Sequence, residues 1–199
     1  MSRSKVGFIM VAFALAAVGA CSGKASDTSE TTGNASCPNG SCPDGIGDSC
    51  TPEDESSTDF SGYGVNEISI EDRTTQCATG QCITVNFQGR LSCPYGGSNC
   101  TTESGALIAV PVKPQLLARS PSDAVHCSCR CDGPDGTGPF CACPDGFECA
   151  QILPAGIVPG GHNALIGSYC IKQGTRVLDP AALASGPTCD AALHNCDDR

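Results

Sequence analysis

Seventeen cysteines in 199 residues are the side chains of this chain best equipped for chemistry, and their spacing narrows which chemistry that is. No Cys-x-x-Cys occurs, so the spacing needed for dithiol oxidoreductases, c-type haem attachment and common zinc knuckles is missing. What occurs instead is Cys-x-Cys, in Cys127-Ser-Cys129-Arg-Cys131 and Cys141-Ala-Cys143. Such pairs can hold a metal as thiolates, but thiolate sites compete poorly with disulfides where the surroundings are oxidising. The histidines add little. His126, His162 and His194 are followed by Cys127, Asn163 and Asn195, and no Gly-x-Ser-x-Gly elbow or His-Glu-x-x-His pair accompanies them. His162, within Pro159-Gly-Gly-His162-Asn163, reads as a surface loop residue. The expectation is a protein with no catalytic residues, no enzyme activity and no cofactor.

One cysteine stands apart from the rest. Residues 1–5 carry Arg3 and Lys5 and no acid, and the fifteen residues from Val6 to Ala20 carry no charge. A basic start, a short apolar run and small residues at its end are the parts of an export signal. The run is shorter than the roughly 20 apolar residues that cross a bilayer, so it predicts a cleaved signal over 1–20. The four residues Val18-Gly19-Ala20-Cys21 resemble a lipobox. That resemblance implies that Cys21 becomes the acylated first residue of the mature chain, and Ser22 after it points to the outer membrane. Several acyl chains on one residue hold a protein stably, where a single chain binds only marginally.

Setting Cys21 aside leaves sixteen cysteines, an even number, and an exported setting makes disulfides their default state. They fall into three groups. Cys37, Cys42 and Cys50 form the first, and Cys77, Cys82, Cys93 and Cys100 the second. Cys127, Cys129, Cys131, Cys141, Cys143, Cys149, Cys170, Cys189 and Cys196 form the third. The outer groups are odd in number, so full pairing requires at least one bridge from the first group to a cysteine beyond it. The connectivity itself cannot be read from the spacing.

Around the first group, residues 21–60 are rich in Ser, Thr, Gly, Asp and Glu, the composition of a solvated spacer. From Ala25 to Asp72 there are eleven acidic residues and no basic one. Loss of Arg3 and Lys5 with the signal leaves 9 basic residues against 21 acidic ones, a net charge of −12. That balance argues against nucleic acid as a partner, since phosphates call for basic surface. The partners expected are the membrane, through the anchor, and an envelope protein or glycan.

Residues 61–199 are expected to form the stapled domain, small, disulfide-rich and mainly β, with extensive loops and one or two short C-terminal helices. Period-two patterning with β-branched residues predicts strands over Val65–Ile70 and Cys82–Phe87. Ala106–Val112 predicts an edge strand because of Pro111. Val125–Cys131 predicts a strand with Val125, Cys127, Cys129 and Cys131 on one face. The turn-forming stretch Asp132–Pro139 and the run Phe140–Cys143 complete a hairpin with its cysteines aimed into the core. Asp179 as N-cap, Pro180 at the first helical position and Gly186 past the end predict a short helix. A second is expected over Cys189–Cys196. In that helix the two cysteines would lie about 10 Å apart and bond to different partners.

Three resemblances are carried by specific residues. Asp44-Gly-Ile-Gly-Asp48-Ser-Cys50 is similar to the core of a thrombospondin type 3 calcium repeat, which implies Asp44 and Asp48 as calcium ligands. Gly40 and Cys42 stand where two further carboxylates belong, although Glu53, Asp54 and Glu55 lie close by. Calcium needs six to eight oxygens, so a Gly-rich acidic turn explains the segment as well. Phe140-Cys-Ala-Cys-Pro-Asp-Gly-Phe-Glu-Cys149 resembles the closing hairpin of an EGF-like module, with its last cysteine early. A broader resemblance rests on Phe87-Gln-Gly-Arg-Leu-Ser-Cys-Pro-Tyr-Gly96, Cys127–Cys131, Cys141–Cys149 and Gly167-Ser-Tyr-Cys-Ile171. These look like a family of cysteine-rich lipoproteins of gliding Gram-negative bacteria with no established activity. It implies a location and a fold type, and no mechanism. The leading expectation is an envelope lipoprotein that presents a binding or structural domain. The rivals are a calcium-dependent adhesion module and an envelope hydrolase or inhibitor with its site at the Asp132–Pro139 loop.

Overall fold

The computed structural model describes residues 45–134, 136, 138–154 and 165–196, all within one unit that runs from Asn34 to Arg199. Cys21, Cys37, Cys42, Asp44 and His162 therefore lie outside the described residues. The chain folds as a small, mainly β, disulfide-rich protein. Its elements in order are β1 (Ile68–Asp72), β2 (Gln81–Val85), α1 (Pro121–Ala124), β3 (Val125–Ser128), β4 (Arg130–Asp132), β5 (Phe147–Leu153), β6 (Gly167–Lys172) and α2 (Pro180–Ala184). They make two antiparallel three-stranded sheets, ordered β1-β2-β3 and β4-β6-β5. No helix among the described residues is long and apolar enough to cross a membrane.

The middle strand β2 is interior on both faces. Its Ile83 and Val85 pack against Ala150, Ile152, Tyr169 and Ile171 of the second sheet, with Ile68 and Ile70 of β1 at the margin. Its Cys82 joins the opposite cluster with Cys50, Tyr63, Cys77, Phe87, Val125 and Cys127. A third, smaller cluster gathers Cys100, Ile108 and Val112. With so few aromatic residues, cystine sulfur supplies much of the first cluster, where free Cys would behave as a small hydrophobe.

Seven bridges join the fourteen cysteines among the described residues. They are Cys50–Cys82, Cys77–Cys127, Cys93–Cys100, Cys129–Cys141, Cys131–Cys149, Cys143–Cys170 and Cys189–Cys196. Cys50–Cys82 is a link of the kind that the odd groups require.

Several expectations need correcting. Residues 45–59, read as part of the spacer, are packed into the body. Ile46 is buried, Gly47 N donates to the Cys127 carbonyl at 2.8 Å, and Cys127 N donates to the Asp48 carbonyl at 2.8 Å. A sequence poor in large apolar residues is held here by backbone pairing and a bridge. The long strand and hairpin over 125–143 do not form. β3 ends at Ser128 and β4 begins at Arg130, so the chain leaves one sheet and joins the other across Cys129. All four residues of β3 are buried, because both of its faces are covered, and the alternation therefore misleads. The return run 140–143 forms no strand. It is fastened by the Cys141 N to Arg130 carbonyl bond of 3.0 Å and by its own two bridges.

Ala106–Val112 likewise makes only isolated pairings, Thr101 with Leu107 and Gly97 with Val112, around the Cys93–Cys100 loop. The expected helix at the C-terminal end is present, with Asp179 Oδ1 accepting from Ala181 N and Ala182 N at 3.1 and 3.0 Å. Cys189–Cys196, expected to be helical with separate partners, is a turn closed by its own disulfide at a Cα separation of 5.8 Å. Asp190 Oδ1 accepts from Ala192 N and Asn195 Oδ1 accepts from Asp190 N, both at 2.8 Å. Side chains that bond the nearby backbone in this way displace a helix. The Phe140–Cys149 segment also departs from a hairpin closed on itself, since Cys143 reaches Cys170 and Cys149 reaches Cys131.

Candidate functional site

A buried ion pair lies beneath an open groove. The 3-10 turn Glu53–Ser56 sets Glu55 inward, where it is 2% exposed. Arg90, wholly buried, donates from Nε to Glu55 Oε2 at 3.2 Å. Its Nη1 donates to the Ser57 and Phe60 carbonyls at 3.0 and 2.7 Å, and its Nη2 donates to the Glu55 carbonyl. The Glu55 carboxylate also accepts from Leu91 N at 2.8 Å and from Ser92 Oγ at 3.2 Å. The guanidinium lies 5.2 Å from the Phe60 ring centroid, and that ring meets Tyr63 edge-on at 4.8 Å. A charge pair removed from water holds only when its remaining donors and acceptors find partners, and here they do.

Above this pair lies an open groove of about 740 Å³, continuous with a smaller one of about 300 Å³ through Thr51, Glu55, Thr102 and Glu103. Its wall is built from residues 51–56, the end of β1 with the loop 71–76, and the loop 102–104. Gln76 staples two of these walls, as Thr51 N donates to its Oε1 at 2.9 Å and its Nε2 donates to the Thr51 carbonyl at 2.7 Å. Glu53 N donates to Glu71 Oε2 at 2.9 Å, which fixes that carboxylate at the rim. On the third wall the Thr102 and Ser104 hydroxyls bond at 2.9 Å. The lining offers the carboxylates of Glu53, Glu71 and Glu103, the Arg73 guanidinium, and threonine and serine hydroxyls. It includes no histidine, cysteine or aromatic ring. This chemistry suits binding a polar ligand that donates hydrogen bonds.

Of the two proposed calcium residues, Asp44 lies outside the described residues, and only Asp48 can be placed. Asp48 uses its backbone to pair with Cys127, and its buried Oδ1 has no hydrogen-bond partner. Glu53 lines the groove, and Glu55 is committed to Arg90. Among the described residues, the only groups of three potential ligands that converge within 4.8 Å are cysteines, in the sets Cys50/Cys77/Cys127, Cys129/Cys141/Cys170 and Cys131/Cys143/Cys170. All of these sulfurs are bonded in disulfides, so they offer no thiolates. At the Asp132–Gly138 stretch, the Arg130 guanidinium lies 5.2 Å from the Phe140 ring centroid, and Asp132 Oδ1 accepts from Gly133 N at 2.7 Å.

His126 is the histidine with an unusual setting. Its ring stands 3.4 Å through Nε2 from the Cys170 carbonyl, which fixes Nε2 as the donor and leaves Nδ1 buried without a partner. Ser128 Oγ donates to the same carbonyl at 2.7 Å. Burial pushes the His126 pKa down to about 4, despite the Cys170 bond, and the Arg119 and Lys172 charges push the same way. Both His126 and Ser128 are closed off from solvent. Neither the Glu55–Arg90 pair nor the groove carries a sequence signal, because their parts lie up to 53 residues apart (Thr51 to Ser104).

No protein-family model matches the chain, and no curated protein or solved structure is found to be similar to it.

Proposed function

We propose that the chain is a lipoprotein of the bacterial cell envelope, held through acylated Cys21 at the outer membrane, whose disulfide-stapled domain works as a binding module. The observation that carries this reading is covalent. Every cysteine among the described residues is paired, a state that belongs to oxidising, extracytoplasmic surroundings. The export-signal pattern of residues 1–20 and the lipobox-like Val18–Cys21 support the same placement. The groove above Glu55 is the face that takes the ligand, a polar envelope glycan or protein that offers donors to Glu53, Glu71 and Glu103.

A photo-crosslinking residue placed at exposed Thr75 tests the binding half in intact cells. It should capture a reproducible protein or glycan that the same probe at exposed Leu178, outside the groove, does not. Equal capture at the two positions, or none, overturns the groove as the binding face. Metabolic labelling with a fatty-acid analogue tests the anchor. The wild-type chain should carry the label and a Cys21→Ser variant should not, and an unlabelled wild-type chain removes the lipoprotein reading.

A further inference from the structure

Six of the bridged cysteines crowd into one place. Strands β5 and β6 set Cys149 opposite Cys170, yet these two do not bond to each other. The two Cys-x-Cys runs close in on them, with Cys170 N donating to the Cys129 carbonyl at 3.2 Å and Cys141 N to the Arg130 carbonyl at 3.0 Å. Each of the facing cysteines is therefore bridged to a different run, in Cys131–Cys149 and Cys143–Cys170, and the remaining pair closes as Cys129–Cys141. The sulfurs of Cys131, Cys143 and Cys170 all lie within 4.8 Å of one another. Cys170 Sγ is also 3.9 Å from Cys129 Sγ and 3.7 Å from Cys141 Sγ. Each of the three disulfides thus has a sulfur within 4.8 Å of the next, in a row running from exposed Cys149 to fully buried Cys170.

We propose that these three disulfides form one thiol–disulfide exchange relay, opened at Cys149 by a dithiol reductant and ending at Cys129–Cys141. Exchange needs a thiolate within reach of a disulfide sulfur and access for the first attack, and both conditions hold here. The first thiolate of the dithiol attacks Cys149 Sγ and expels Cys131 as a thiolate. The second thiol of the dithiol then attacks its own sulfur in the mixed disulfide. The reductant leaves as a disulfide, and Cys149 keeps a proton as a free thiol. Two electrons have entered the protein at that point. The Cys131 thiolate attacks Cys143 Sγ, forming Cys131–Cys143 and expelling Cys170. The Cys170 thiolate attacks Cys141 Sγ, forming Cys141–Cys170 and expelling Cys129, which takes the second proton. Each internal exchange breaks one S–S bond and makes one, so the protein ends with one bridge fewer and thiols at Cys149 and Cys129.

The rest of the molecule supplies the controls. Cys50–Cys82 and Cys77–Cys127 also stand in sulfur proximity, but all four of those cysteines are buried and no first attack can reach them. Cys93–Cys100 and Cys189–Cys196 belong to none of the sulfur groups within 4.8 Å. The relay needs no Cys-x-x-Cys, because its neighbours meet in space and not along the chain.

Limiting dithiothreitol on the folded, oxidised full chain, followed by alkylation and peptide mapping, tests the relay. The expected products carry Cys131–Cys143 and Cys141–Cys170 bonds with alkylated Cys149 and Cys129, while Cys50–Cys82 and Cys77–Cys127 stay intact. Native pairings throughout, or loss of bridges at random, overturn it. Two single variants sharpen the result, since Cys149→Ser and Cys131→Ser remove the same bridge and leave opposite thiols. Cys149→Ser should form Cys131–Cys143 or Cys131–Cys170 with no reductant added, about tenfold or more in excess over any rearrangement in Cys131→Ser, because only the Cys131 thiolate is held against a neighbouring disulfide. Equal rearrangement in the two, or none in either, counts against the relay, and the wild-type mapping decides if neither variant folds.

Discussion

A histidine with one ring nitrogen bonded and the other sealed away binds a proton only at a cost. For His126 the folded pKa is about 4, below the 6.5 of an unfolded chain, because burial and the Arg119 and Lys172 charges outweigh Asp123 and the Cys170 carbonyl. Between those two values the unfolded state binds more protons than the folded one. Stability therefore holds above about pH 6.5 and falls as the pH drops towards 4, by about 3 kcal/mol from this residue alone. Urea unfolding of the oxidised protein at pH 7 and pH 4.5 should show the loss. His126→Leu should flatten the slope over that window, and an unchanged slope removes the residue from the account. The sequence marks His126 only as a histidine before Cys127. Its setting comes from Phe147, whose ring stands edge-on at 5.7 Å, and from Cys170, 44 residues away.

The segment 45–60 illustrates at the level of elements why composition misled. It has few large apolar residues and a run of acids, the marks of a spacer. Yet its one buried isoleucine, one bridge and one inward carboxylate are enough to fix it, since Arg90 spends its whole guanidinium on Glu55, Ser57 and Phe60. Nothing local announces that pairing, whose partners are 35 residues apart. The helix over 180–184 was legible for the opposite reason, because its cap, its proline and its terminal glycine are all neighbours in sequence. Strands at 68–72 and 81–85 were legible from their alternation, with ends shifted by a few residues. β3 and β4 were not legible as two strands, because one run of alternating residues serves two sheets. Arg90→Met should destabilise the oxidised protein by about 3–5 kcal/mol, since Glu55 is left charged and buried without its partner. Adding Glu55→Leu to that variant should restore part of the loss in thermal unfolding. If the double variant is no better than Arg90→Met, the ion pair is not what holds the segment.

At the scale of the whole molecule, two three-stranded sheets and three small apolar clusters are a slight core for a folded unit that carries so many loops. Cross-links restrict the unfolded chain and are typically worth about 2–4 kcal/mol each, without simple additivity. Seven of them in the described residues carry a share that packing cannot replace. Full reduction and alkylation should therefore abolish the fold, read as loss of near-ultraviolet circular dichroism and of amide dispersion in proton NMR. A reduced chain that kept both signals would show that the apolar clusters suffice alone. The parity of the cysteine groups made a link out of the first group legible, but the choice of Cys82 depends on β2 lying in the middle of its sheet.

That link has a mechanical side. Tension that reaches Cys50 past the backbone pairing of Gly47 and Asp48 with Cys127 passes through sulfur to Cys82, in the central strand. The intervening residues, spanning a separation of 32, are bypassed by that sulfur link, although β1 and the Cys77–Cys127 bridge fasten them to the same sheet. β2 is hydrogen-bonded to β1 on one side and β3 on the other, so load delivered to Cys82 is shared by two ladders. A protease cut anywhere between Thr51 and Gln81 would leave the two pieces still tied, so the domain cannot be shed from whatever holds its front end by a single nick there.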